Sequence, residues 1–291
     1  RQMCIRDRLY DVKYDLSRAI KLDFNATTNA RIDEPEGAII NQEQRDTIWD
    51  NFWSFGRPVT YNHTANVTWN TPINKLPGLD FTSLNVRYSG AYNWNSSSLA
   101  ADSLGNIIQN SKNLQYNGQL NLTTLYNKVP FLRQANSSRG GNRNRGRGNN
   151  PSETNTNNNN AAEFNPAKFL AGLITSVKSV SVMYSENQGT RLPGFLPDHQ
   201  VLGASEFASP QMAPNFGFLF GAQNPNFGPY AAGEGWLTLD STLNQQISFT
   251  NSKTLNLRGT VEPLPSFRIE LTANRTYSEN FSEFFSCLLY T

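Results

Sequence analysis

The sequence predicts an all-β chain, an antiparallel, long-stranded section of a large transmembrane β-barrel with one short amphipathic helix and long loops. Three observations carry this expectation. Apolar and polar residues alternate with a period of two in six separate stretches, which places one residue set on each face of a strand. The longest runs extend over about 12–19 residues, more than twice the five or six of an ordinary sandwich strand and enough to cross the roughly 25 Å apolar band of an outer membrane. No stretch approaches the roughly 18 consecutive apolar residues of a membrane helix, so any crossing has to be made by strands.

The first run starts at Tyr14, with Leu16, Ile20, Leu22, Phe24 and Ile32 on one phase and Lys21, Asp23 and Asn25 on the other. Only Arg18 breaks its apolar phase, and the reading places it near an interface. The pattern returns in Val59, Tyr61, His63, Val67 and Trp69 against Asn62, Asn66 and Asn70. It returns again in Leu84, Val86, Tyr88, Tyr92 and Trp94 against Asn85, Arg87 and Asn93. Leu114, Tyr116, Leu120 and Leu122 then oppose Asn117, Gln119 and Asn121. Late in the chain come Leu255, Leu257, Gly259 and Val261, followed by Phe267, Ile269 and Leu271, the last set facing away from Arg268 and Glu270. Thr71–Gly78 and Glu262–Ser266 supply the proline and glycine that end strands and turn hairpins.

The expected lipid-facing set is therefore Leu16, Ile20, Leu22, Phe24, Val67, Trp69, Leu84, Val86, Tyr88, Leu120, Leu122, Leu257, Ile269 and Leu271. The expected lumen-facing set is Lys21, Asp23, Asn25, Asn66, Asn85, Arg87, Asn117, Gln119, Asn121, Arg268 and Glu270. Tyr61, Trp69, Tyr88, Tyr92 and Trp94 fall toward strand ends, where amphipathic rings suit lipid headgroups. Alternation also fits a large secreted β-sandwich, and strand length decides for the barrel. Six to nine strands leave two open edges, so the remainder of a barrel is expected to close them.

Between the strands, residues 41–54 read as a helix with Ile48, Trp49, Phe52 and Trp53 on one face behind an Asn41 cap. A second helical turn is expected at Pro166–Leu173, and Val177–Tyr184 reads as a strand of less regular phase. Whether Leu243–Val261 is one strand or a hairpin turning at Asn251–Ser252–Lys253 stays open. Residues 135–163, with the Arg-Gly run Ser138–Gly148 and an Asn-rich tract, are expected to be disordered. Barrel strands are thus expected over 9–134 and over 164–285, the latter with long loops. Arg1–Arg8 and Ser286–Thr291 resemble translated sequencing adapter and are set aside, leaving an internal fragment. The only cysteines, Cys4 and Cys287, lie in those ends, so no disulfide or thiolate metal site is expected.

The chain has 291 residues, only 16% of them charged, and a net charge of +2, which argues against a strong polyanion binder. At 37% hydrophobic and 12% aromatic it is too apolar to be wholly disordered. His63 and His199 stand far apart without metal-type spacing. Gly203–Phe207 starts like a nucleophile elbow but lacks the closing glycine. Glu34 with Glu36 and Glu279 with Glu283 are carboxylate pairs without a recognisable cleft. The expectation is no enzyme, no metal and no cofactor.

Several short motifs, in order, resemble the SprA/Sov family of outer-membrane translocons of type IX secretion. They include Tyr14-Asp15-Leu16-Ser17-Arg18-Ala19, Asp33-Glu34-Pro35-Glu36-Gly37, Phe55-Gly56-Arg57-Pro58 and Asn70–Pro77. Tyr92-Asn93-Trp94, Asp102–Asn106, Leu125–Lys128, Tyr184–Asn187 and Gly217–Gly221 continue the series. The resemblance runs from about Leu9 to Phe285, while the Arg-Gly and Asn-rich insert looks particular to this chain. It implies a barrel in the bacterial outer membrane that exports folded cargo and, in gliding species, motility proteins. It further implies as partners the remainder of the barrel, plug and cargo-shuttle proteins, secreted cargo and outer-membrane lipid, with no nucleic acid. The rival readings are a secreted adhesin or carbohydrate-binding β-sandwich and another outer-membrane transporter barrel.

Overall fold

A computed structural model of the chain describes residues 4–32, 56–130, 132–133, 174–206, 209–264 and 267–284, together with Gln42, Arg45, Trp49 and Trp53. These form one eight-stranded antiparallel sheet in which every strand pairs with its neighbours in sequence. The strands are β1 (Cys4–Asp15), β2 (Ile20–Ile32), β3 (Arg57–Thr71), β4 (Thr82–Asn95), β5 (Asn106–Asn121), β6 (Val177–Phe195), β7 (Gln246–Leu264) and β8 (Phe267–Phe284). They are 12 to 19 residues long. Among the described residues β1 and β8 each keep one unpaired edge, and the sheet they form does not close.

The run from Tyr14 is not a single strand. Ser17 breaks it, because its hydroxyl accepts hydrogen bonds from the backbone N–H groups of Ala19 and Ile20 at 3.2 and 3.0 Å, closing a tight turn. Leu16 and Arg18 therefore sit in a connection at the end of the sheet, and Leu16 leaves the set of strand-borne apolar residues. Strand β1 also begins at Cys4, inside the terminus that the sequence reading set aside. Leu122 is a second correction. It opens helix α1 (Leu122–Lys128) instead of extending β5, since Tyr126 turns inward and donates its hydroxyl to the Ile174 carbonyl at 2.8 Å. Strand β6 reaches Phe195, well past Tyr184, and a bulge between Val177 and Ser179 accounts for its irregular phase. Strand β7 passes straight through Asn251–Lys253, so that stretch is one strand.

The connections fall at two ends. At one, which we call the turn end, residues 16–19 join β1 to β2, the 3-10 turn Pro72–Lys75 lies between β3 and β4, β5 ends and β6 begins, and β7 ends and β8 begins. At the other, the loop end, β2 ends and β3 begins, residues 96–105 join β4 to β5, and β6 ends and β7 begins. Of the expected helix at 41–54, the described residues Gln42, Arg45, Trp49 and Trp53 are helical and exposed, and Ile48 and Phe52 lie outside the described residues. The turn at Pro166–Leu173, the low-complexity segment 135–163 and the pair Glu34 and Glu36 lie outside them too.

The 50 residues between β6 and β7 do not trail away as a loop. Residues 196–245 fold back over one face of β3–β6, carrying helices α2 (Phe216–Leu219) and α3 (Phe227–Gly233). The main buried core forms beneath them, from Tyr61, Tyr92, Trp94, Ile108 and Leu192 of the sheet with Phe218, Leu219, Phe227 and Leu237 of the covering segment. Phe218 and Phe227 stack at 4.1 Å.

Candidate functional site

Partners across an antiparallel ladder project to the same face, so the register sorts the side chains directly. One face is built of amides and hydroxyls. A single row crosses it as Asn70, Asn85, Asn117, Met183, Asn256 and Asn274, from β3 to β8. Another reads Asp23, Asn66, Ser89, Asn113, Asn187, Ser252 and Ser278. Neighbouring amides bond to each other, Asn85 to Asn70 and Asn113 to Asn187. The few charges are partly compensated, as where Arg258 and Arg268 both reach Glu270.

All eleven residues expected on the wet side lie on this amide face: Lys21, Asp23, Asn25, Asn66, Asn85, Arg87, Asn117, Gln119, Asn121, Arg268 and Glu270. A hollow of about 860 Å³ opens on it toward the turn end, walled by Asn85, Asn117, Asn256, Asn274 and Arg258. Its lining spans six successive strands, β3 to β8, and is completed by Arg18, Pro72, Asn74 and Lys75 of the turn-end connections.

The opposite face carries Ile20, Leu22, Phe24, Val67, Trp69, Leu84, Val86, Tyr88, Leu120, Leu257, Ile269 and Leu271, twelve of the fourteen residues expected to face lipid. Its two halves have different environments. Toward the turn end the described residues leave it uncovered, with Trp69 45% and Leu271 58% exposed. Toward the loop end it lies under residues 196–245, and here a sequence expectation fails. Tyr61, Tyr92 and Trp94 are not surface rings but are 1–2% exposed beneath that segment.

The contact is made by polar side chains of the sheet on backbone carbonyls of the covering segment. Tyr88 donates to Phe220 at 2.6 Å, Tyr92 to Gly203 at 3.0 Å, and Asn110 to Phe218 and Ala222, both at 3.0 Å. His63 Nε2 meets the Leu219 carbonyl at 2.7 Å. The segment also brings in the second histidine, which sequence separation had left unrelated to the first. His199 stacks on Tyr61 at 4.4 Å and lies 5.7 Å from Trp94, and burial together with the charges of Arg8 and His63 pushes its pKa down to about 4. No motif signals this meeting, because a chain reversal of 50 residues produces it.

Two further patterns emerge only when the strands are aligned. Six rings occupy two adjoining rows of the apolar face: Tyr14, Tyr88 and Tyr277 in one, Trp69, Tyr116 and Tyr184 in the next. The apolar face also has a slanted limit. Going from the turn end toward the loop end, and on β6 starting beyond the bulge at Val177–Ser179 that holds Lys178, its first charged side chain is Lys112 on β5, Glu186 on β6, Lys253 on β7 and Arg275 on β8. Glu279 shares the row of Lys112, so Arg275 lies four residues lower than Lys112 three strands away. With about 3.3 Å per residue and about 4.8 Å between strands, that line is inclined to the rows by roughly 40°.

Gly203 lies in a tight turn closed by Val201 and Ala204, and the Ser205 hydroxyl donates to the Ala213 carbonyl at 3.3 Å. Glu279 accepts from the Tyr277 hydroxyl at 3.1 Å. Among the described residues no group of three or more His, Cys, Asp and Glu side chains is placed to hold a metal ion. No protein-family model and no curated protein matches the chain.

Proposed function

We propose that this chain is part of the wall of an outer-membrane β-barrel that exports folded proteins, as the resemblance to SprA/Sov translocons implies. The observation that carries the membrane reading is the slant of the charge limit. Strands of outer-membrane barrels tilt about 35–45° from the axis, so a membrane plane must cross the rows at that angle, and the line from Lys112 to Arg275 does. The strand is long enough for such a band. On β7, Leu255, Leu257, Gly259 and Val261 follow Lys253 on the apolar face. The eight positions from Lys253 to Val261 span about 26 Å along the strand, or about 20 Å along the normal after a 40° tilt, against the roughly 25 Å of such bands. Because the rows are inclined to that line, the rings stand at different heights, with Tyr184 on β6 and Tyr277 on β8 each two residues from the limit, at Glu186 and Arg275.

The amide face supports passage of large cargo. It is wet and nearly neutral and holds a hollow of about 860 Å³, so a folded protein meets hydrogen-bonding groups that exchange readily with water and few charges that would hold it by salt-bridge attraction. The unpaired edges of β1 and β8 call for further strands, which a wall fragment supplies and a soluble sandwich does not.

Single cysteines along β7 of the intact protein in its membrane test the reading. Positions 256, 258 and 260 are expected to react with a membrane-impermeant maleimide, and 255, 257 and 261 only with a lipid-soluble one. A bulky adduct at 113 or 187 is expected to slow cargo export. Extraction of the protein without detergent, with 255, 257 and 261 inert to both reagents, points instead to a soluble double-layered protein and overturns the proposal.

A further inference from the structure

The covering segment packs over β3–β6 toward the loop end, and its near edge is apolar. Phe220, 37% exposed, sits at that edge: its carbonyl takes the Tyr88 hydroxyl, and its ring lies 5.7 Å from His63. Further along the same edge Val201 is 53% exposed, and together with Leu202 it faces Tyr10, Val12 and Phe24 across a cleft of about 330 Å³. Phe24 shares the row of Lys112, three strands away on the side where the limit climbs. The floor of this cleft is therefore continuous with the uncovered apolar band below it.

We propose that this edge is a lipid seat, with the cleft between Val201 and Phe24 taking the upper part of an acyl chain and Phe220 standing at headgroup level. The inference rests on the membrane reading given above. The occupant is lipid because the lower walls, Tyr10, Val12, Phe24, Val201 and Leu202, are aliphatic and aromatic and open onto the band that reading puts in hydrocarbon, while Arg8, Thr28, His199 and Gln200 line the cleft toward the loop end. A partner protein would have to displace that lipid to reach it. The segment then acts as a fixed collar. It hides the aromatic surface that rises above the bilayer and ends where acyl chains begin.

A photoreactive phenylalanine analogue placed singly at 220 or 201 of the intact protein, reconstituted in phosphatidylethanolamine nanodiscs, tests the seat. Position 271 reports on the band and position 252 on the amide face. Irradiation is expected to add one lipid mass at 220, 201 and 271, in several-fold higher yield than at 252. Lipid adducts at 271 with none at 220 and 201 overturn the seat and leave the barrel reading standing. Adducts at none of these positions remove both.

Discussion

At the scale of single residues, the docking of the covering segment depends on Gly90. A Cβ built there would lie 2.2 Å from the Phe220 carbonyl oxygen and 2.8 Å from its carbon, and both are backbone atoms that no rotamer change can move aside. Gly90→Ala is therefore expected to lift α2 off the sheet and stretch the bonds from Tyr88 and His63, at a cost of about 1–3 kcal/mol. Amide hydrogen exchange over residues 214–224 should accelerate accordingly. At Gly259 an added methyl has nothing within 4 Å, so Gly259→Ala is expected to leave exchange and stability nearly unchanged. Equal effects from the two substitutions would refute this account of the docking. Gly90 reads in the sequence as one more small residue on an apolar phase, because the chain that approaches it lies 130 positions later.

At the scale of elements, the strands were legible and the element that covers them was not. Period-two alternation reports which face a residue occupies, and on the strands the residues expected to face lipid and those expected to face a lumen lie on opposite faces of the sheet. Leu16 and Leu122 were misplaced because alternation continues by chance through a serine-closed turn and into a short helix. Residues 196–245 carry no repeating pattern. Their two short helices are held by contacts to the sheet, which local sequence does not encode.

The covering segment should be sensitive to acid. His199 is buried against Tyr61 and Trp94, and its pKa near 4 is below the ordinary 6.5, with Arg8 and His63 also opposing its charge. A histidine whose folded pKa is depressed binds fewer protons when docked than when released. Its contribution is thus complete above pH 6.5 and is lost progressively as the pH falls toward 4, reaching about 2 kcal/mol by pH 5. Proteolysis within 196–245 is expected to quicken between pH 7.5 and pH 5, and His199→Gln should flatten that dependence. A profile that stays flat in the unsubstituted protein would contradict it.

At the scale of the whole molecule, the slanted limit makes a prediction that no alternation pattern on one strand makes. If a bilayer lies against the apolar face, the cost of a new charge depends on distance from that line and not on position along the strand. Leu257 on β7 and Val182 on β6 are register partners near the middle of the band, so Leu257→Arg and Val182→Arg should each cost about 2–4 kcal/mol in membrane-folding equilibria. Phe249, also on β7 and on the same face but beyond Lys253, lies past the limit, and Phe249→Arg should add only the roughly 0–1 kcal/mol typical of interfacial positions, apart from lost packing. Asn256, beside Leu257 but on the amide face, should accept arginine at little cost because its side chain meets water. A depth profile of this kind cannot arise from a protein interior, where burial would penalise Leu257 and Phe249 alike. Equal penalties at the two positions would therefore remove the membrane from the explanation, even though the chain would remain an eight-stranded sheet with one amide face and one apolar face.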